Sequence, residues 1–166
     1  MSSLGAGSPP DSLDAGQSAP NRQRILLVDD DQLMRELLSG VLEWFGYRVD
    51  TAEDGAAAWE KIKAARDTAE QYTLLITDNV MPKLSGIGLA EKVRDANLPL
   101  PVIMVCGNPP ENATKVPLAA VLLKPFSGEV LAQTVKDVLE RKGREPETRP
   151  VPFLLPVRDL PRDTKL

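Results

Sequence analysis

Acidic and basic side chains stand at the ends of several short apolar runs in this chain of 166 residues. Three consecutive aspartates follow one run directly, and single charged residues follow two others: Asp29–Asp31, Asp78 and Lys124. Carboxylates that converge from different strands repel one another strongly unless a cation lies among them. Oxygen ligands in a chain without histidine favour Mg²⁺, with Mn²⁺ as the alternative. A carboxylate nucleophile, a divalent cation and a lysine are together the parts that phosphoryl transfer to an aspartate requires.

Five runs of apolar and β-branched residues predict β-strands. They are residues 25–28, 47–52, 72–77, 102–105 and 121–123. Segments of helical periodicity separate them, and strands joined by helical crossovers indicate a parallel sheet that is covered on both faces. Ligands bind such sheets where the carboxyl ends of the strands meet the loops, which is where the charged residues stand.

Four helices are predicted around these strands. The first carries apolar residues at helical spacing, which are Leu33, Leu37, Leu38, Val41, Leu42 and Phe45. Gly46 stands where a glycine would end that helix, and Asp54 is predicted to cap a second helix that runs toward Ala69. A third helix begins at residue 85 or 86, and the apolar face of residues 130–139 predicts the last one.

The composition narrows the classes of function. A formal net charge of −4 and a pI of about 5.0 give no general affinity for nucleic acid. The single cysteine excludes an internal disulfide and a cysteine zinc site, and the absence of histidine excludes histidine triads and histidine phosphotransfer on this chain. No secretory signal opens the sequence and no apolar run approaches the roughly 18 residues of a membrane span, so we expect a soluble cytoplasmic protein.

One domain over residues 22–143 is predicted between two segments without periodicity. Residues 1–21 are rich in Ser, Gly and Pro and predict a disordered leader. Residues 144–166 carry five prolines among charges of both signs and predict a flexible tail. The apolar segment VPFLLPV within that tail leaves three alternatives open: docking on its own domain, docking on a partner, or no fixed structure.

Four segments of the sequence resemble, in order, the signature segments of the response-regulator receiver domain. They are ILLVDDDQLMRELL, LLITDNVMPKLSG, PVIMVCG and LLKPF. The resemblance covers about residues 24–141, which is almost all of the predicted domain. It implies an α/β fold: a doubly wound, flavodoxin-like parallel sheet of five strands in the order 2-1-3-4-5.

The resemblance also implies a role for individual residues. Asp78 matches the phosphoacceptor, and Asp29 and Asp30 match the acidic pair that holds Mg²⁺ (or Mn²⁺) together with Asp78. The backbone carbonyl of Val80 would supply a further metal ligand. Lys124 would bind the phosphoryl oxygens.

Residues beside these motifs are expected to have structural roles. The Lys124–Pro125 peptide bond is expected to be cis. Asp31 lies outside the implied metal pair and is predicted to be an ordinary helix N-cap. Trp44 and Trp59, which fall on predicted helices, are interpreted as packing residues.

The sequence departs from the family pattern at three places. Cys106 stands where the family has a Ser or Thr that hydrogen-bonds the phosphoryl group, and a thiol is a weaker donor. Val121 stands where many receivers have a Tyr or Phe that moves with that hydroxyl. The segment Gly107–Ala120 is short for the family's fourth helix and contains three prolines, so it predicts at most one helical turn. Cys106 is interpreted as a buried apolar residue, with redox sensing as the alternative.

These observations favour a phosphoacceptor module without an output domain of its own. A histidine kinase or a histidine phosphotransfer protein would donate the phosphoryl group, and a downstream protein that the sequence does not identify would receive the signal. Self-dephosphorylation is expected to be slow, because Val80 is apolar and Asn108 orients water weakly. The module is not expected to be an enzyme beyond these reactions at Asp78, and neither nucleic acid nor a membrane is expected as a partner.

Other interpretations stay open beside this one. A pseudo-receiver, which keeps the fold and acts as a phosphorylation-independent adaptor, is favoured by the changes at Cys106, Val121 and the fourth helix. An aspartyl phosphatase on a similar sheet ranks lower, because Val80 stands where that class has a second acid. A flavin-binding protein ranks lower still, because no Ser/Thr-rich phosphate loop follows the first strand.

Overall fold

The computed structural model describes residues 23–142 and the backbone of residues 153–154. Five strands of four or five residues alternate with helices: β1 Arg24–Val28, β2 Arg48–Ala52, β3 Leu74–Asp78, β4 Val102–Cys106 and β5 Ala120–Leu123. The helices are α1 Gln32–Trp44, α2 Gly55–Ala65, α3 Gly86–Asp95 and α4 Gly128–Lys142. A two-residue strand, β6 Phe153–Leu154, completes the described chain.

The strands form one sheet in the order β2-β1-β3-β4-β5-β6, and every neighbouring pair is parallel. The predicted doubly wound, five-stranded sheet with order 2-1-3-4-5 is therefore confirmed. The sequence did not predict β6, which lies on the open edge of β5 and within the segment predicted to be a flexible tail. The rest of that tail and the predicted leader, residues 1–21, lie outside the described residues.

The central strands are buried on both faces because helices cover both sides of the sheet. In β1, Leu26 and Val28 belong to a core layer that includes residues of α2 and α3, whereas Ile25 and Leu27 belong to the layer of α1 and α4. All four side chains are at most 1% exposed. Each buried side chain of this size stabilises the fold by about 1.5–3 kcal/mol. Runs of Leu, Ile and Val therefore favour strands that are buried on both faces, as the sequence predicted.

The helix caps predicted at Asp31 and Asp54 are confirmed, whereas the predicted end of the second helix is not. The Asp31 carboxylate accepts hydrogen bonds from the backbone N–H groups of Leu33 and Met34, at 2.9 and 3.3 Å. Gly46 has a φ of +91°, a left-handed conformation that favours glycine after a helix. The prediction that the second helix runs toward Ala69 is wrong: α2 ends at Ala65, whose carbonyl accepts bonds from the Thr68 backbone and hydroxyl.

Part of the apolar face predicted for the first helix is exposed. Leu38 and Leu42 are buried, whereas Leu33 and Leu37 are 76% and 60% exposed. Leu37 lies one residue from Leu38, which is about 100° around the helix, so both cannot face the narrow seam that α1 presents to the sheet. Phe45, just past the helix, is 44% exposed.

The two tryptophans differ in their packing. The expectation for Trp44 is wrong, because this residue is 80% exposed and contacts the neighbouring Phe45 ring edge-to-face at 4.9 Å. Trp59 is partly buried against the core, as expected, and the Lys92 ammonium lies 5.7 Å from the centre of its ring. Exposure on one helix face is decided by neighbouring elements, which residue type alone does not reveal.

The connection between β4 and β5 contains a single 3₁₀ turn, Ala113–Lys115, in place of a full helix. This confirms the prediction that the fourth helix is shortened or missing. Val116 and Leu118 follow the turn, and their side chains are buried in the core. They fill space that a helix between β4 and β5 would otherwise occupy. Among the described residues, no helix has both the length and the apolar character that crossing a bilayer would require.

Candidate functional site

Three carboxylates meet at the carboxyl edge of the sheet. Asp29 and Asp30 follow β1 directly, and Asp78 is the last residue of β3, the strand beside it. One oxygen from each carboxylate lies within 4.8 Å of the other two. Asp29 is buried, Asp78 is partly buried and Asp30 is exposed, so the cluster is accessible to solvent. Parallel strands make this convergence unavoidable, because their carboxyl ends point to the same edge.

Lys124 completes this cluster from the end of β5. Its ammonium nitrogen lies 3.4 Å from Asp29 Oδ2 and 3.6 Å from Asp78 Oδ1. The Lys124 backbone N–H donates to the Cys106 carbonyl at 2.8 Å, which fixes the end of β5 to that of β4. The Lys124–Pro125 peptide bond is cis, as expected. Four predicted site residues are therefore brought together: Asp29, Asp30, Asp78 and Lys124.

The electrostatics of this cluster favour a bound cation. Burial raises the pKa of the Asp78 carboxyl above its ordinary value, the Lys124 ammonium opposes the rise, and the charges of Asp29 and Asp30 add to it. Three carboxylates face one ammonium, so an excess of negative charge stays uncompensated. A hard divalent cation with oxygen ligands would compensate that charge and lower the pKa of the Asp78 carboxyl again.

Hydrogen bonds from the loop after β1 hold the acidic pair in place. The backbone N–H of Asp31 donates to Asp29 Oδ1 at 2.9 Å. The Arg35 guanidinium, one turn into α1, donates to the backbone carbonyl of Asp29 at 2.7 Å. The buried carboxylate therefore keeps its second oxygen, Oδ2, toward Lys124 and the cluster.

The loop after Asp78 is fixed against the first turn of α3. The Gly86 N–H donates to the Asn79 carbonyl at 3.0 Å, and the Ile87 N–H donates to Asn79 Oδ1 at 3.3 Å. A Cβ atom on Gly86 would lie 2.2 Å from the carbonyl oxygen of Asp78. The sequence predicted Gly86 only as a helix start, and nothing in the local pattern reveals that its backbone packs against Asp78.

An ion pair between a buried carboxylate and an exposed ammonium ties the same loop to α2. Asp54, 3% exposed in its side chain, caps α2 by accepting the Ala57 N–H at 2.8 Å and also accepts from the Lys83 ammonium at 2.8 Å. Lys83 lies in the loop after Asp78 and has a φ of +66°. Sequence reasoning found the cap but missed the pair, because 29 residues separate its two members.

We expect Asp54→Asn to destabilise the fold by about 1 kcal/mol at neutral pH, because Asn still caps the helix but loses the charge that faces Lys83. The hydrogen bond from Lys83, followed by that from the Ala57 N–H, lowers the pKa of Asp54. The folded state thus holds this proton less readily than the unfolded state. The stabilisation is present above the unfolded pKa near 3.8 and is lost as the pH falls through the lowered value.

Urea titrations of wild type and Asp54→Asn between pH 3 and pH 7 measure this difference, which should narrow toward the acid end. Asp67→Asn is the matched control, because the Asp67 side chain is 92% exposed and its loss should change stability by less than about 0.5 kcal/mol. A pH-independent difference for Asp54→Asn would contradict the assigned role of its charge.

Three further residues singled out in the sequence, Cys106, Val121 and Val80, differ in their burial. Cys106, at the end of β4, is buried, as the sequence interpretation expected, and burial followed by the Asp78 charge raises the pKa of its thiol. A raised pKa keeps the thiol protonated, which disfavours the redox alternative. Val121 is buried in the core within β5, and Val80 is 79% exposed beside the cluster.

Comparison with known proteins agrees with this geometry. A sequence model described as the response regulator receiver domain matches residues 25–136 of the chain. The chain belongs to this family. The match begins inside β1 and ends inside α4, so the receiver domain includes every residue of the acidic cluster and Lys124.

Some curated relatives match over nearly their whole length. Chemotaxis protein CheY1 of Helicobacter pylori strain J99 is 37% identical over 123 residues, which cover 70% of this chain and 96% of the relative. Some other curated relatives are longer proteins, and this chain spans 52% of the length of one of them and 16% of another. The match to those longer proteins is limited to their receiver domains and says nothing about the activities of their other parts.

Solved structures share the fold. A CheY-like receiver domain protein from Methanospirillum hungatei JF-1 has a TM-score of 0.68 and 26% identity, covering 75% of this chain and 99% of that one. The response regulator TrrA from Thermotoga maritima, solved in complex with Mg(2+)-BeF, has a TM-score of 0.62 and 30% identity, covering 70% and 98%. Both comparisons leave about a quarter or more of this chain unmatched.

Proposed function

We propose that this receiver domain accepts a phosphoryl group on Asp78 from a histidine kinase or a histidine phosphotransfer protein and passes the signal on through protein–protein contacts. The observation that carries the proposal is the cluster of three carboxylates with the Lys124 ammonium 3.6 Å from Asp78. Phosphoryl transfer to a carboxylate depends mainly on position and charge compensation, and this cluster offers both. A cytoplasmic location, and independence of membranes and nucleic acid, stay predictions.

The donor atoms of the cluster fit Mg²⁺ or Mn²⁺. Asp29, Asp30 and Asp78 would hold the ion with carboxylate oxygens, directly or through water, and the Val80 backbone carbonyl would add a neutral oxygen. When bound, the ion neutralises the charge of the phosphoryl oxygens and that of the surrounding carboxylates. TrrA, at 30% identity, was solved with Mg(2+)-BeF, which supports the same use of this fold here.

The nucleophile in the transfer is the carboxylate of Asp78. One carboxylate oxygen attacks the phosphorus in line, forming an acyl phosphate, while the phosphorus–nitrogen bond to the donor's imidazole breaks. The electron pair of that bond leaves with the donor's imidazole, which takes up a proton from water. The Lys124 ammonium stays beside the phosphoryl oxygens and stabilises their charge throughout the transfer. The hydrogen bonds to Asp29 and Asn79 keep both loops fixed while this happens.

Removal of the divalent cation tests the proposal. Incubation with Mg²⁺ and a small phosphodonor should add one phosphoryl group, which peptide mass spectrometry places on Asp78. Chelation before the donor is added should reduce the adduct by at least about a hundredfold, because the carboxylates then repel the incoming phosphoryl group. Beryllium fluoride should bind only with Mg²⁺ present, which backbone NMR of the loops after β1 and β3 detects.

We also propose that the phosphorylated form is long-lived, because Val80 and Asn108 offer little that would orient an attacking water. A half-life of seconds in Mg²⁺ would contradict that part of the proposal.

A phosphorylation-independent pseudo-receiver is the second candidate. The observations that favour it are the single 3₁₀ turn between β4 and β5, the thiol of Cys106 and the aliphatic side chain of Val121. In this alternative the fold presents an interaction surface and Asp78 stays unmodified. The same incubation separates the two: absence of both the phosphoryl adduct and the beryllium fluoride complex, in a folded protein, favours the pseudo-receiver.

A further inference from the structure

The two edges of the five-stranded sheet differ in how they resist unwanted pairing. The β2 edge carries Arg48 and Asp50, and charged residues on an edge strand discourage the addition of another strand. The β5 edge, Ala120–Leu123, reads AVLL and contains neither a charge nor a proline. The backbone N–H and C=O groups on the outer side of an apolar edge strand can form hydrogen bonds with any extended segment.

The connection between β4 and β5 supplies no full helix beside this edge. Of the segment between β4 and β5, only the three residues of the 3₁₀ turn Ala113–Lys115 are helical. The edge is instead covered by the chain itself, because β6 adds to it as a sixth parallel strand. Phe153 is in register with Val121, and Leu154 is in register with Leu122.

The sequence around β6 limits it to a short strand. Pro152 and Pro156 flank three residues, Phe153 to Leu155, that have a backbone N–H to donate. The strand therefore closes the β5 edge without offering a long new edge of its own. Residues 143–152 can span up to about 35 Å when extended, which exceeds the length of about 22 Å of α4, so the tail reaches β5 within one molecule.

We propose that the β5 edge is a docking surface for one extended apolar strand and that the tail segment at Phe153–Leu154 occupies it in the same molecule. The tail is then an edge cap, which keeps β5 from pairing with a second copy of the chain. This inference goes beyond the proposed function and does not depend on phosphorylation of Asp78. It assigns to the apolar tail segment the first of the three alternatives that its sequence leaves open.

Amide hydrogen exchange of the full chain tests the proposal without truncation. In the double variant Phe153→Asp, Leu154→Asp, the β5 amides that face β6 should exchange about tenfold faster or more, because their hydrogen bonds open to water. The β5 amides that face β4 should keep their wild-type exchange. Sedimentation should show the double variant self-associating at concentrations at which the wild type is a single species.

The matched control is the double variant Leu160→Asp, Leu166→Asp, which adds the same charge to the tail outside β6. It should exchange and sediment like wild type. A synthetic peptide of residues 149–158, added to the Phe153→Asp, Leu154→Asp variant, should restore protection of the β5 amides. Equal β5 exchange in wild type and in the β6 variant would overturn the proposal. So would protection in the wild type that rises with protein concentration, since that indicates a strand from a second copy.

Discussion

Asp78→Asn is expected to abolish phosphoryl incorporation, with a fall of at least about a thousandfold in the rate of adduct formation. The amide has nearly the shape of the carboxylate but is a poor nucleophile, and it removes one charged ligand from the cluster within 4.8 Å. Intact-protein mass spectrometry after incubation with Mg²⁺ and a small phosphodonor measures the loss. The fold should persist, because Asn occupies the same space at the end of β3.

Two comparisons make this result interpretable. Asp31 lies directly after Asp29 and Asp30 but outside the cluster, and its carboxylate caps α1. Because Asn caps helices about as well as Asp, the Asp31→Asn variant should be phosphorylated like wild type. Phosphorylation of Asp78→Asn at the wild-type rate would show that another residue is the acceptor.

Stability supplies an independent check on the same variant. Burial raises the pKa of Asp78, so the folded state without metal binds this proton more readily than the unfolded state. The ionised carboxylate therefore costs stability as the pH rises through the raised value, a cost that Asn does not carry. In chelator at pH 7, Asp78→Asn should resist urea better than wild type, and the gap should close toward pH 3.

The site could be predicted from the sequence because its geometry follows from parallel topology. Once β1, β3 and β5 are recognised as neighbours or near neighbours, their carboxyl ends must lie at one edge, and Asp29, Asp78 and Lys124 must lie there too. The burial of the apolar runs on both faces follows from the same topology. These features depend on the order of residues within each strand, which a sequence displays directly.

Features that depend on how elements meet could not be predicted in this way. The exposure of Leu37 and Trp44 is decided by which face of α1 turns to the sheet. The pairing of Asp54 with Lys83 requires the loop after β3 to lie on the start of α2, where a Cβ on Gly55 would come within 2.3 Å of the Leu84 carbonyl oxygen. Such contacts join residues about 30 positions apart and leave no periodic signal.

β6 escaped prediction for a different reason. A strand of two residues between prolines has almost no intrinsic preference for extended structure in isolation. It pairs with β5, an uncharged strand at the end of the sheet, so its signal lies in the strand that it pairs with. An uncharged last strand followed by an apolar tail segment is therefore a sequence pattern that predicts an added edge strand.

Gly86 offers the sharpest test of how the fold positions the phosphoacceptor. A Cβ at this position would lie 2.2 Å from the Asp78 carbonyl oxygen, whereas ordinary contacts begin at 3.4 Å. The obstacle is backbone, so a substitution must push the end of β3 and the start of α3 apart by about 1 Å. A displacement of that size at a reacting group costs about a hundredfold in rate. Overpacking of this kind also costs about 1–3 kcal/mol of stability.

We therefore expect Gly86→Ala to be less stable than wild type by about 1–3 kcal/mol and to form the Asp78 adduct about a hundredfold more slowly. Gly40→Ala is the matched control, because nothing lies within 4 Å of a Cβ there and alanine in a helix gains about 0.5–1 kcal/mol over glycine. The two identical substitutions should thus shift urea midpoints in opposite directions, and only one should slow phosphorylation. A Gly86→Ala protein as stable and as reactive as wild type would mean that the α3 start does not hold Asp78 in place.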